Sequence, residues 1–260
     1  QWRGPNRDGI YPDTNLLKEW PTDGPTLIWK VDSLGIGYSS PVFTDEEIII
    51  TGMRDSVGYL YALDLNGKIL WQKAYGAEWT GSWPGTRCTP LIYNGKGYLL
   101  TSFGEVYCFD IENGEKIWSK KVYNPVDNNY NQWGLMENLI ADGKTLFCTP
   151  GDSINNILAL SSDTGEITWT SQGMHGINTC STPIIITLMG KKFYITLTDR
   201  TINSIDVENG KLVWSHPISN KNRIHANTPI FRDGKLFIMM GFEMGSLMLQ
   251  LSDDGSGVKE

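Results

Sequence analysis

The sequence predicts an all-β fold, a β-propeller of four-stranded antiparallel blades. Three observations carry this. A turn-then-Trp motif recurs through the chain. A second strand–turn–strand piece lies about twenty residues before each copy, giving four short strands in a repeat of about 45 residues. No segment keeps a helical 3.6-residue period, and the β-branched, aromatic, turn-punctuated composition excludes stacked helix pairs. An irregular β-sandwich is the competing architecture.

The chain opens on "WRGPNRDG", Trp2–Gly9. Gly-Pro and Asp-Gly are turn dipeptides. The segment reads as a clasp or strap over residues 1–28, with Arg3 and Arg7 able to pair with an acidic surface and Pro5 and Gly9 setting the turns; a binding loop is the alternative. "GPTLIWKV" follows and ends a partial copy of the repeat at Trp29.

The first full motif is "YALDLNGKILW", Tyr61–Trp71. "YCFDIENGEKIW" (Tyr107–Trp118), "LALSSDTGEITW" (Leu158–Trp169) and "NSIDVENGKLVW" (Asn203–Trp214) repeat it. A fifth copy, "LMLQLSDDGSGVKE", runs to Glu260 without a Trp. Asp64, Asp110 and Asp206 can fold back on backbone N–H groups, and Gly67, Gly114, Gly165 and Gly210 supply the positive φ of a hairpin turn. The preceding pieces are "SSPVFTDEEIII", "CTPLIYNGKGYLL", "MENLIADGKTLF", "STPIIITLMGKKFYI" and "NTPIFRDGKLFI", most with an Asn-Gly or Asp-Gly turn. Steps between successive Trp from Trp29 to Trp214 are 42, 47, 51 and 45 residues.

Composition narrows the function classes. A net charge of −7 argues against a nucleic-acid surface, which needs clustered Lys and Arg. No apolar run approaches the roughly 18–20 residues of a membrane-spanning helix. The chain starts at Gln1, as a mature or trimmed chain would. Cys88, Cys108, Cys148 and Cys180 form no C-x-x-C, haem-attachment motif or adjacent pair; they read as small buried hydrophobes, with one disulfide left open. His175, His216 and His225 lack metal-ligand spacing, and no nucleophile-elbow, Walker or zincin motif occurs.

At the Asp…Gly…Trp motif the chain resembles the quinoprotein-like propellers, whose tryptophan-docking motif runs Ala-x-Asp-x-x-Thr-Gly-x-x-x-Trp. Ala62, Asp64, Gly67 and Trp71 match with one deletion. Asp110, Gly114 and Trp118 match at full length with Cys108 in the Ala position; Ala159, Thr164, Gly165 and Trp169 match without the Asp; Asp206, Gly210 and Trp214 match with Ser204 as the small residue. The opening octapeptide is similar to the start of a bacterial subgroup of that family. The resemblance covers nearly the whole chain. It implies that Trp71, Trp118, Trp169 and Trp214 are structural, docking between blades, and that about five blades form part of a seven- or eight-bladed ring. The last blade reads as incomplete; a closed five-blade ring is the alternative. Missing blades or a second chain would cover an open edge.

Two functions follow from the resemblance. One is a non-catalytic scaffold of the cell envelope, periplasmic or extracellular, like the outer-membrane assembly lipoprotein of this class. It would bind a protein, small-molecule or carbohydrate ligand and need no cofactor. The other is an alcohol or sugar dehydrogenase using pyrroloquinoline quinone (PQQ) with calcium, held by Glu and Asn oxygens, an Arg and a catalytic Asp. No catalytic or metal residue is assigned. Strand starts carry Tyr38, Arg87, Glu137, Asn138, Asn178, His225 and Asn227. Of these, Arg87, Glu137, Asn138 and His225 are expected to form a polar floor at one channel mouth. Trp79, Trp83 and Trp133, in loops between repeats, are expected to rim it as ligand-stacking aromatics. A wet channel, with those tryptophans packed into loop cores, is the bland alternative.

Overall fold

The computed structural model describes residues 3–4, 8–123, 133–152, 154–171, 176–218 and 221–260. Five four-stranded meanders follow one another. Blade 1 comprises β1 (Val42–Phe43), β2 (Glu47–Arg54), β3 (Val57–Asp64) and β4 (Ile69–Ala77). Blade 2 comprises β5 (Leu91–Tyr93), β6 (Lys96–Leu100), β7 (Glu105–Asp110) and β8 (Lys116–Lys121). Blade 3 runs β9 (Ile140–Asp142), β10 (Thr145–Cys148), β11 (Ile157–Ser161), β12 (Ile167–Ser171), and blade 4 runs β13 (Ile184–Leu188), β14 (Lys191–Leu197), β15 (Thr201–Asp206), β16 (Leu212–Pro217). Blade 5 has β17 (Ile230–Arg232), β18 (Lys235–Met239), β19 (Ser246–Leu251) and a two-residue β20 (Val258–Lys259). All ladders are antiparallel, as tight hairpins require.

The central strands are apolar at nearly every position because each blade is covered on both faces. In blade 3, Leu146, Cys148, Leu158 and Leu160 pack toward blades 1 and 2, while Phe147, Ile157 and Ala159 pack with Tyr194 and Ile205 of blade 4. The other face of blade 4 meets Leu236, Ile238, Leu247 and Leu249 of blade 5. Blade 5 leaves its far face open, with Ile230, Met239 and Met248 exposed.

The outer face of blade 1 is closed differently. Val31 and Leu34 pack on Ile48, Tyr61 and Leu63. The segment around Trp29, expected as a strand, has no ladder: it has no sheet beside it, and Leu27 and Ile28 are exposed. Trp2, Pro5 and Arg7 of the opening octapeptide lie outside the described residues. The remainder makes a local turn, with Gly9 N donating to Arg3 O at 2.9 Å, and Asp8 reaches a cavity of about 270 Å³ beside the inner strands β9, β13 and β17.

The Trp motif closes each interface. Asp64, Asp110 and Asp206 accept backbone N–H bonds within their turns, and Ser161 Oγ takes that role where the acid is missing. Each Trp lies on the turn glycine of the following blade: Trp71 on Gly114, Trp118 on Gly165 and Trp169 on Gly210. Trp29 stands in the same relation to Gly67, its Nε1 donating to Leu65 O at 3.0 Å. Trp214 Nε1 donates to Gly255 O at 3.2 Å, so blade 5 receives its partner through the carbonyl.

Candidate ring-mouth site

The strand starts gather on the face opposite the Trp-docking turns, because each meander begins and crosses over there. A belt of hydrogen bonds joins them from blade to blade. Ser40 N donates to Thr89 Oγ1 (3.0 Å), Thr89 N to Asn138 Oδ1 (2.6 Å), Asn138 Nδ2 to Thr182 Oγ1 (3.1 Å), and Ser181 Oγ to Asn227 O (2.9 Å). Asn138 is thereby spent on both sides of its amide.

The belt fixes which residues are equivalent. Tyr38, Arg87, Met136 and Cys180 each lie two residues before the belt residues Ser40, Thr89, Asn138 and Thr182, and Ala226, three residues before Pro229 as Arg87 is before Pro90, is their counterpart in blade 5. They surround the ring mouth. The Arg87 guanidinium lies 5.7 Å from the Tyr38 ring centroid, and its Nη1 is 3.8 Å from Met136 Sδ. Burial lowers the Arg87 pKa, with Tyr38 and Glu78 acting against the shift. Burial raises the Cys180 thiol to about 11 despite Arg87.

The expected polar floor is therefore brought together only in part. Glu137 sits one residue beyond the mouth position, and in extended chain one residue turns a side chain to the other side. Its carboxyl is buried between blades 3 and 4, where Oε1 accepts Thr149 N (2.9 Å) and the Tyr194 hydroxyl (3.2 Å). Burial pushes its pKa up to about 8, against those bonds. His225 is fully buried one residue before the mouth, hydrogen-bonded to the backbone of Asp199, with its pKa lowered by burial.

The loop tryptophans divide in the same way. Trp79 is half-buried, 5.9 Å from the Phe103 ring, with Nε1 donating to Ser82 O at 3.0 Å. Trp133 is half-buried beside Gly134, against which Trp79 lies. Trp83 is 70% exposed, at a φ of 54°. Arg87 Nη2 holds this loop by donating to Ser82 O (2.7 Å) and Trp83 O (2.6 Å). Arg87, Trp79 and Trp83 thus form one unit at the mouth, while Glu137, Asn138 and His225 brace the blades behind it.

Three buried acids were not picked out from sequence: Asp152, which accepts Ile154 N at 2.8 Å within its own loop, and two that join blades. Glu78 accepts the Tyr75 hydroxyl (2.9 Å), Trp79 N (3.1 Å) and the Ser102 hydroxyl. Asp199 accepts Ile177 N (2.8 Å) and pairs with Arg223, whose Nε is 2.6 Å from Oδ2. No pattern in the repeat marks them, because each serves only its own loop or junction. All four cysteines are free, and Cys88, Cys108 and Cys148 are buried.

A family model described as outer membrane protein assembly factor BamB matches residues 56–246. The chain belongs to this PQQ-like propeller family. BamB of Legionella pneumophila is 30% identical over 153 residues, covering 56% of this chain and 33% of the relative. The quinoprotein alcohol dehydrogenase PedH of Pseudomonas putida is 24% identical over 175 residues, 64% of this chain and 27% of the enzyme. The crystal structure of BamB from Moraxella catarrhalis superposes with a TM-score of 0.59 at 16% identity, covering 87% of this chain and 63% of that one. The chain thus spans about a third of these curated relatives, and the structural likeness establishes the propeller fold.

Proposed function

We propose that the chain is part of a non-catalytic scaffold of the cell envelope, and that its ring-mouth loops bind a protein. One observation carries this reading: the mouth's accessible groups are Tyr38, Trp83 and the half-buried Arg87, while the buried polar groups behind them are committed to holding blades together. An exposed aromatic loop on a rigid ring suits a protein partner. The assembly-factor relatives agree with such a partner by name, and nothing in these relatives' names points to a carbohydrate.

The dehydrogenase relative raises the question of PQQ with calcium. The residues do not fit that group. Calcium takes six to eight oxygens, with carboxylates among them. Glu137 is enclosed, with burial pushing its pKa up to about 8, and the Asn138 amide is already engaged between blades, Oδ1 by Thr89 N and Nδ2 by Thr182 Oγ1. No cluster of three or more His, Cys, Asp or Glu that could hold a metal occurs among the described residues.

Two experiments test the reading. The purified chain with PQQ and calcium should reduce no dye across a panel of alcohols and aldoses; quinone-dependent turnover would overturn it. A photo-crosslinking residue at Trp83 should capture an envelope protein that the same residue at Met189, exposed on the opposite face, does not. Equal capture from both positions would remove the mouth as the binding face.

A further inference from the structure

We propose that the ring mouth docks an acidic, aromatic-bearing peptide segment, with a peptide carboxylate on Arg87 and an apolar side chain against Trp83 and Tyr38. This rests on the scaffold reading above and specifies its partner's chemistry.

The charge argument comes first. Arg87 has no carboxylate within ion-pair distance among the described residues, although the chain as a whole is acidic. Its Nη2 is spent on two backbone carbonyls, which do not neutralise it. Nη1 has only the Met136 thioether, and Nε has no partner. Glu78 acts on it at longer range but is occupied by Tyr75, Ser102 and Trp79 N. A half-buried guanidinium left this way is a strong donor site for a carboxylate, since charge-assisted bonds gain most where water is partly excluded.

The aromatic argument is independent. Trp83 is held in the left-handed region, where a bulky side chain is strained, and it faces solvent. The strain is fixed from all sides. Trp79 Nε1 and Arg87 Nη2 both bind Ser82 O, Gly85 N donates to Trp79 O at 2.9 Å, and Tyr38 N donates to Thr86 O at 2.8 Å. Nothing in the chain's own packing needs an exposed indole there. A preorganised aromatic beside a free charge is the arrangement found at binding hot spots, because little freedom is lost on docking.

The same guanidinium both locks the loop and offers the charge. A partner carboxylate at Nη1 would sit beside the Tyr38 ring, with Trp83 across the loop. Met136, Cys180 and Ala226 complete the mouth without adding charge of either sign.

The test uses the whole chain and a fluorescein-labelled nine-residue peptide of Glu and Phe, read by anisotropy. Its Gln/Phe counterpart, sodium succinate and inorganic phosphate are the other arms. The Glu/Phe peptide should bind at least about tenfold more tightly than the Gln/Phe peptide, and Arg87→Gln should abolish that preference. Arg87→Gln could also loosen the loop, so Trp83→Ala provides the second variant. It should weaken the Glu/Phe peptide about fivefold while thermal melting stays unchanged, as expected for an exposed side chain. Equal affinity for both peptides would overturn the carboxylate site. Full competition by succinate or phosphate, with no loss in Trp83→Ala, would show a small-anion site instead. Should no peptide bind while crosslinking from position 83 still captures its protein, this docking chemistry falls and the scaffold reading stands.

Discussion

The indole Nε1 of Trp118 in blade 2 donates to the carbonyl of Ser162 in blade 3, 3.2 Å away and 44 residues along the chain. The same ring meets Tyr98 at a tilt, with centroids 6.1 Å apart, and covers Gly165. One side chain therefore supplies both area and a directed bond to the contact between blades 2 and 3, alongside the Tyr98 hydroxyl, which donates to the same Ser162 carbonyl at 3.2 Å.

Trp118→Ala should cost about 3 kcal/mol, the lower end for a large aromatic removed from a core, because the ring is only half-buried. Trp83→Ala, at 70% exposure, should fall within about 0.5 kcal/mol of wild type. Urea unfolding of the two variants side by side checks this. Equal losses would mean that docking contributes nothing beyond surface coverage.

Gly165 tests the other half of that contact. Its φ is +73°, and a Cβ there would lie 2.5 Å from Trp118 Cε3. Gly165→Ala thus meets both a left-handed backbone and a rigid ring. Gly143 has a φ of +59° with nothing within 4 Å. Gly143→Ala should cost about 1 kcal/mol from the backbone alone, and Gly165→Ala clearly more. Matching melting temperatures would show that the indole can move aside freely.

These contacts bear on what the sequence made legible. The Trp motif is periodic and chemically specific, so the propeller architecture and strand order could be read from it, while docking of Trp118 between blades was an expectation that the family resemblance supplied. The mouth was legible only in part, for a reason of register. Aligning the pieces on their turn glycines equates Arg87 with a position one residue off in blade 3. The blade 2 turn is Asn94-Gly95, between the paired Tyr93 and Lys96, whereas in blade 3 Gly143 opens the turn after Asp142. Aligning on the proline instead (Pro41, Pro90, Pro183, Pro229, with Leu139 in blade 3) places Tyr38, Arg87, Met136, Cys180 and Ala226 together. One residue separates a mouth side chain from an inter-blade one: the glycine alignment lands on Leu135, one residue before Met136, and the expected Glu137 lies one residue after it, turned between blades 3 and 4. Asp199 and Glu78 were invisible because a carboxylate that serves one junction leaves no repeat.

Asp199 and Arg223 supply a third prediction. The Asp199 side chain is fully buried and bridges the loop before blade 4, through Ile177 N, to the loop before blade 5, through Arg223. Arg223 is partly exposed, and Arg200 Nε also lies 3.5 Å from Asp199 Oδ2, so losing Arg223 leaves the buried carboxylate with a weaker partner. Arg223→Ala should therefore cost about 1–3 kcal/mol, and Arg223→Ala with Asp199→Asn should recover part of it. Denaturant midpoints for the two singles and the double decide the matter. Strict additivity would mean that the two groups do not depend on each other.

Glu137 gives stability a pH dependence whose sign is opposite to that of an ordinary paired carboxylate. Its carboxyl has a reference pKa of 4.5 and is pushed up to about 8 in the folded chain, because burial costs the charged form more than Thr149 and Tyr194 return. Between those values the folded chain binds more protons than the unfolded one. Stability must then fall as pH rises through the window, by up to about 1.4 kcal/mol per pH unit. His225 works the other way: burial lowers its pKa from 6.5, so its contribution is lost as pH falls through that value. The raw melting curve mixes the two, and the difference between variants separates them. Glu137→Gln keeps an acceptor for Thr149 N and removes the titration. Its melting temperature should cross that of wild type, lying below or level near pH 5 and above it by pH 8.5. Parallel curves for wild type and Glu137→Gln from pH 5 to 8.5 would show that the carboxyl reaches water and ionises normally, and that the inter-blade network around Tyr194 is held without a buried proton.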